Sequence, residues 1–288
     1  MTISGFTFVK NGVLLGYPFL ESIQSVLPVC DEVVVVVGKS EDDTRERIVA
    51  LNEKKVKIID TVWDPDLRTG GAVLAQQTNI AKANISGDWG FYIQADEVIH
   101  EKYLSVIQKA AELHLHNPKV QGLLFGFRHF YGSYKYYGLN RDWYRNEIRM
   151  IKNHPDIVSY KDAMGFRDIN NQKLRVKKIP VEMYHYGWVK SPEDQNTKKK
   201  LVSLLWHDDE SLANNKDYNA VFRYNRRERL EIFKDEHPKV MKERISLMDW
   251  KFPYDPTKVK MSLKEKLSML FENVTGIQIA EYKNYREL

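Results

Sequence analysis

Gly87-Asp88-Trp89-Gly90-Phe91-Tyr92-Ile93-Gln94-Ala95-Asp96-Glu97 is the stretch on which the reading of this chain turns. Phe91 to Ile93 is an aromatic and β-branched run, the mark of a short buried strand. It stops at a polar, acidic tip, Gln94 to Glu97. In an open α/β sheet, ligands gather beyond the carboxyl ends of the strands. Carboxylates placed there either hold a metal and a phosphate or cap the next helix, here the one carrying Tyr103.

Working outward, the segment before the tip alternates strands and helices. Ile3 to Val9 reads as a strand, and Leu15, Phe19, Leu20, Ile23, Val26 and Leu27 follow helical spacing until Pro28. Val33 to Val37 is apolar on both faces, as in a central strand of a parallel sheet. Asp43 or Thr44 caps a helix through Arg45, Ile48 and Leu51, and Val56 to Ile59 is a third strand. Gly70-Gly71 opens a helix carrying Leu74, Gln77, Ile80 and Ala81, where close backbone approach to a phosphate is allowed. This is the rhythm of a Rossmann-like sheet.

Beyond the tip, Tyr103 to Leu115 is helical by pattern, and Val120 to Phe130 and Trp143 to Ile151 read as strands. The aromatic segment Tyr131 to Asp142 between them has the length of a binding loop. Leu174 to Tyr186 is a strand ending in His185-Tyr186-Gly187-Trp188. Past Ser191 the chain turns basic and helix-forming, through Lys198-Lys199-Lys200, Arg223 to Arg229 and Lys239 to Arg244. Within Met261 to Phe271, Leu263, Leu267 and Leu270 keep helical spacing.

The bulk composition narrows the class. At 288 residues with 43% apolar and 29% charged content, this is an ordinary globular chain with a sizeable core. A single cysteine, Cys30, excludes an internal disulfide and a cysteine metal cluster. The net charge of +5 suits an anionic ligand but is too small to argue for nucleic acid. Met1 to Gly5 lacks a signal pattern and no apolar run reaches the length of a membrane span. The expected setting is cytoplasmic. The basic tail is a solvated helical face, with contact to the inner face of an anionic membrane left open.

The order of four segments resembles the family 2 glycosyltransferases, GT-A-fold enzymes that move a sugar from a nucleotide-sugar donor. The segments are Phe8-Val9-Lys10-Asn11-Gly12, Ser40-Glu41-Asp42-Asp43-Thr44, the helix from Gly70 to Ala81 with Gln76 and Asn79, and Gln94-Ala95-Asp96-Glu97. The last resembles the family's DXD signature, with Gln94 where the first acid would stand. Val37 and Gly38 occupy the place of an aspartate that reads uracil in many members. The resemblance implies an α/β fold, a GT-A mixed sheet flanked by helices with a C-terminal helical extension. Residues 1–100 would form the nucleotide-sugar half, 101–190 the acceptor half and 191–288 the extension.

The resemblance also implies roles. Phe8, Val9, Asn11, Ser40, Asp42, Arg68, Gln76, Asn79, Gln94, Ala95 and Asp96 would face the nucleotide sugar. Asp96 and His185 would hold a divalent cation, Mn²⁺ or Mg²⁺, that neutralises the departing diphosphate. Glu147, with Asp142 beside it, would take the proton of the acceptor hydroxyl. Tyr134, Tyr136, Trp143 and Trp188 would offer a platform to a glycan or lipid-linked saccharide. The expected reaction is metal-assisted transfer with inversion. A catalytically silent sugar-nucleotide binder, kept open by Gln94, and a sugar-nucleotide nucleotidyltransferase are the alternatives.

Overall fold

The valine run Val33–Val37 lies at the centre of a mixed sheet, each residue at most 3% exposed. The computed structural model describes residues 1–67, 69–140, 143–206, 212, 218, 220–225, 228–256, 259 and 282–288. In chain order, β1 (Ile3–Val9) is followed by α1 (Phe19–Val26), β2 (Glu32–Gly38), α2 (Thr44–Ala50) and β3 (Val56–Thr61). Then come α3 (Ala72–Ala83), β4 (Trp89–Tyr92), β5 (Glu97–Ile99) and α4 (Leu104–His114). The second half contains β6 (Gly122–Tyr131), β7 (Ser133–Gly138), β8 (Asn146–Lys152), β9 (Ile157–Tyr160), β10 (Gly165–Asp168) and β11 (Arg175–Trp188). It ends with α5 (Pro192–Ser203), β12 (Leu230–Ile232), α6 (Lys242–Ser246) and β13 (Arg286–Glu287).

The strand order is β12-β7-β6-β8-β4-β1-β2-β3. Strands β3, β2, β1 and β4 are parallel, and β8 joins antiparallel between β4 and β6. Strand β11 runs parallel to β6 and also pairs with β5 and β13. This is the mixed sheet with flanking helices that the resemblance implies.

Alternation along the strands makes two cores. Val33, Val35 and Val37 pack on one face with Phe19, Ile23 and Val26 of α1 and Ile107 and Ala111 of α4. Val34 and Val36 pack on the other with Phe6 and Ala81, Leu74 and Ile80 of α3 adding to it. Full burial of each such side chain contributes roughly 1.5–3 kcal/mol before entropy is counted.

Four local features depart from the sequence reading. The segment expected as a binding loop contains β7, because Tyr134 and Tyr136 point inward with exposed Lys135 between them, a period-2 pattern. The hairpin β9–β10 lies where no element was expected. Glu97 begins a strand and caps nothing; His100 accepts from Lys102 N at 3.2 Å at the next helical turn. The segment after residue 190 lays β12 and β13 onto the sheet edges as well as forming helices. Met261 to Phe271 lie outside the described residues. No helix among the described residues is long and apolar enough to cross a membrane.

Candidate functional site

The acidic tip is held by its own backbone and by its neighbour strand. Glu97 N donates to Gln94 O at 3.0 Å, and Gln94 N donates to Glu97 Oε2 at 3.1 Å. Strand β5 then pairs with β11 so that Glu97 stands opposite His185, and Tyr186 N donates to Asp96 O at 2.8 Å. These pairings place the Asp96 side chain at the end of β11. A Cβ at Gly187 would stand 2.5 Å from Asp96 Oδ2 and 2.8 Å from His185 Nε2, so glycine is what lets the two side chains meet.

Glu97 itself is structural. Arg149 Nε donates to Glu97 Oε2 at 2.8 Å and Nη2 to Oε1 at 2.6 Å, with both side chains at most 1% exposed. Arg149 Nη1 also reaches the carbonyls of Ile148 and Met164. Tip, β8 and the start of β10 are thereby locked as one piece.

Asp96 faces three nitrogen-bearing side chains. His185 Nε2 is 3.4 Å and Lys198 Nζ 3.7 Å from Asp96 Oδ2. Burial by itself would raise the Asp96 carboxyl, but His185, Lys198 and Lys190 outweigh it and hold the group well below the usual carboxylate range. Burial in turn drives Lys190 well below the usual lysine range and lowers Lys198.

The hydrogen bonds behind His185 set its tautomer. His129 Nε2 lies 2.7 Å from the Tyr144 carbonyl oxygen, which only accepts, so Nε2 carries the hydrogen. Burial, with His185 adding to it, pushes the His129 ring down to about 3, so it is neutral and its Nδ1 accepts. His185 Nδ1, at 3.1 Å, donates to it, and His185 Nε2 is left facing Asp96.

That geometry suits a divalent ion. Adjacent ligands of an octahedral ion at about 2.1 Å stand about 3 Å apart, close to the 3.4 Å between Asp96 Oδ2 and His185 Nε2. Among the described residues no group of three His, Cys, Asp or Glu side chains converges, so a cation here needs oxygens from a bound ligand as well.

The residues expected to face a donor occupy several different environments. Asn11, Ser40 and Asp42 tie the loops after β1 and β2 together: Asn11 N donates to Ser40 Oγ at 3.0 Å, Glu41 N to Asn11 Oδ1 at 2.8 Å and Leu14 N to Asp42 Oδ2 at 2.7 Å. Ser40 and Asp42 also border a cavity of about 360 Å³ beyond β2 and β3. Phe8 packs edge-on against Trp63 with ring centroids 5.9 Å apart, while Val9 is core. The Trp63 indole N–H is buried beside Gly38 without an acceptor among the described residues, a feature the sequence did not signal. Gln76 is exposed, and Asn79 is bound at both ends to the Ser159 backbone. Gln94 Nε2 reaches Tyr92 Oη and Ala163 O, both at 3.3 Å, and Ala95 is half-buried. Arg68 and Asp142 lie outside the described residues.

Two further carboxyls lie beside Gly165 and Gly71. Glu147 is 4% exposed, and its Oε2 has no hydrogen-bond partner among the described residues. Burial pushes its carboxyl up to about 8, with Arg149 opposing and Glu97 and Asp162 adding to the rise. Asp162, which the sequence reading passed over, is half-buried beside Gly71, where a Cβ would come within 3.0 Å of Asp162 Cβ. Burial raises its carboxyl as well. Tyr134 and Tyr136 are buried, whereas Trp143 and Trp188 are half-buried and meet edge to face, 5.9 Å apart. Trp143 also borders a cavity of about 660 Å³ shared with His129, Tyr137 and Tyr144.

Glu147 carries a pH prediction. Its folded value of about 8 exceeds the ordinary 4.5, so the folded chain keeps a proton that the unfolded chain releases between those limits. Stability therefore falls as pH rises across that window, by at most roughly 1.4 kcal/mol per pH unit from this group. Glu147→Gln is expected to remove that slope, read by urea melts at pH 5, 6.5 and 8. Parallel pH dependences for the variant and the parent would refute it.

No protein-family model and no curated protein matches the chain. Among solved structures it is similar to S. aureus TarS 1–349, at 15% identity and a TM-score of 0.42, over 75% of this chain and 66% of that one. TarS 1–349 is also known in complex with UDP-GlcNAc. A second similar structure is glucosyl-3-phosphoglycerate synthase from Mycobacterium tuberculosis with Mn²⁺, UDP and phosphoglyceric acid, at 22% identity and a TM-score of 0.30. That match covers 45% of this chain and 43% of the synthase. The chain thus spans just under two-thirds of TarS 1–349, 40% of the longer TarS chain and under half of the synthase.

Proposed function

We propose that the chain is a glycosyltransferase that moves a sugar, with inversion, from a nucleoside-diphosphate donor to a hydroxyl of a glycan or lipid-linked acceptor. The observation that carries this is the convergence of Asp96, His185 and Lys198 at the end of β4 and β11, on a Rossmann-like sheet. A carboxylate among positive groups at a strand end is suited to a diphosphate and its counter-ion.

Asp96 Oδ2 and His185 Nε2 would hold Mn²⁺ or Mg²⁺ together with the donor's phosphate oxygens. When bound, the ion supplies electrophilic neutralisation of the departing diphosphate. The chain's own groups do the rest. The acceptor oxygen attacks the anomeric carbon, the bond from that carbon to the phosphate oxygen breaks, and the hydroxyl proton passes to a carboxylate. We assign that proton to Asp162 rather than Glu147. Asp162 stands at the start of α3 and adjoins Ala163, whose carbonyl accepts from Gln94 at the tip. Glu147 is enclosed and holds its own proton at neutral pH. Trp143 and Trp188 offer ring faces to the acceptor saccharide.

A thermal-shift panel of ADP, CDP, GDP, UDP and dTDP, each with Mn²⁺ and with EDTA, tests the reading. One diphosphate should raise the melting temperature, and Mn²⁺ should raise it further only in that nucleotide's presence, because the protein supplies two ligands. Asp162→Asn should keep that shift and lose transfer. No shift with any nucleotide would overturn the donor assignment.

A further inference from the structure

Lys198 opens the Lys198-Lys199-Lys200 run, which reads from sequence as part of a solvated helical face. The fold turns it inward. Ser191 caps α5 by accepting from Asp194 N at 3.0 Å, Pro192 starts the helix, and the second turn carries Lys198 over the acidic tip. Its Nζ donates to Gly187 O at 2.9 Å, lies 3.7 Å from Asp96 Oδ2 and stands 4.9 Å from the Tyr17 ring centroid. Lys190, 2% exposed, approaches Tyr17 at the same 4.9 Å and donates to Gly16 O at 2.8 Å.

The amines of this pair outnumber the carboxylate they share. Asp96 is shared by both lysines and by His185. Asp194 acts on Lys190 only at longer range, and Arg244 opposes it. Glu21 Oε1 is engaged by Arg244 Nε at 2.7 Å, and the buried Glu21 Oε2 has no hydrogen-bond partner among the described residues. Two amines and the His185 ring gather on this one carboxylate, a surplus of nitrogen groups in a place where water screens little. Such a surplus is matched by a ligand bearing more than one negative charge.

We infer that Lys198 is the cationic wall of the diphosphate site, with the Lys190 amine packed behind it, and holds the nucleoside diphosphate in its own right, with or without a divalent ion. The inference rests on the donor reading above. As the bond between the anomeric carbon and the β-phosphate oxygen breaks, the electron pair stays on that oxygen. The Lys198 ammonium then meets the added charge through an N–H donor, and no proton needs to move. The aromatic floor of Tyr17 and Trp188 keeps the amine in place, Trp188 at 5.9 Å.

Titration calorimetry with the diphosphate picked out by the panel tests this, using its nucleoside as control, in Mn²⁺ and in EDTA. The parent should bind the diphosphate in EDTA. Lys198→Gln should weaken that binding about 10- to 100-fold, as for a lost charge-assisted hydrogen bond, and leave the nucleoside unchanged. Lys198→Arg should restore most of the loss, and Lys200→Gln, on the exposed side of α5, should match the parent. Equal diphosphate affinity in parent and Lys198→Gln, or parent binding abolished by EDTA, overturns the inference while leaving the donor reading standing. Failure of every diphosphate to bind the parent overturns both.

Discussion

Asp96→Asn is expected to lower sugar transfer by roughly a thousandfold, at the upper end of the loss seen when one preorganised electrostatic contact at a reacting centre is removed. The substitution keeps the shape of the side chain and deletes its charge. His185 and Lys198 then face an amide, and the candidate ion site loses its one carboxylate among the described residues. Nucleotide affinity in Mn²⁺ should fall with turnover. The melting temperature should change far less, because the amide still fits the space beside Gly187. The check is turnover of the purified variant beside its melting curve. A variant retaining about a tenth of parental turnover would remove Asp96 from the centre of the reaction.

Arg149→Met should give the largest loss of stability from one side chain, about 3–5 kcal/mol, the usual result of stranding a buried charge. Glu97 is fully buried and accepts two of its hydrogen bonds from Arg149, so the variant leaves a carboxylate without its partner. In a chain of this size each kcal/mol corresponds to roughly 2–4 °C of melting temperature. The paired change Glu97→Gln with Arg149→Met should recover most of the loss, since burying a neutral pair avoids the desolvation that the ion pair incurs. A double-mutant cycle by urea melts reads both terms. A single variant within 1 kcal/mol of the parent would show that the pair is solvated in solution.

These two expectations separate the neighbours Asp96 and Glu97, which the sequence presents as one acidic patch. Only the partner strands tell them apart. Strand β11 brings His185 and Gly187 to Asp96, whereas β8 brings Arg149 to Glu97. Arg149 is 52 residues from Glu97 in sequence and His185 is 89 residues from Asp96, so local patterning carries no trace of either contact.

The basic tail shows the same limit. Charge runs of helical period look alike whether the helix faces water or a carboxylate. The direction in which Lys198 points depends on where Ser191 and Pro192 aim α5 after β11 ends. Asp162 was invisible for a related reason: its hairpin follows no long periodic run, and its importance comes from lying over Gly71. The resemblance implies Glu147 as the base, but burial encloses it, with its Oε2 beside Gly165 at the start of β10.

The alternation of strands and helices, the central place of Val33–Val37 and the position of the acidic tip at the end of a buried strand are legible in the sequence by itself. Those are local matters of side-chain period and apolar burial, and they are written along the chain. Which acid of the tip faces the lysines, which lysine turns inward and which carboxyl, Asp162 or Glu147, stays partly exposed follow from the tertiary contacts. Each depends on partners from distant strands meeting in an interior of low dielectric, where proximity rather than spacing sets the strength of a charge.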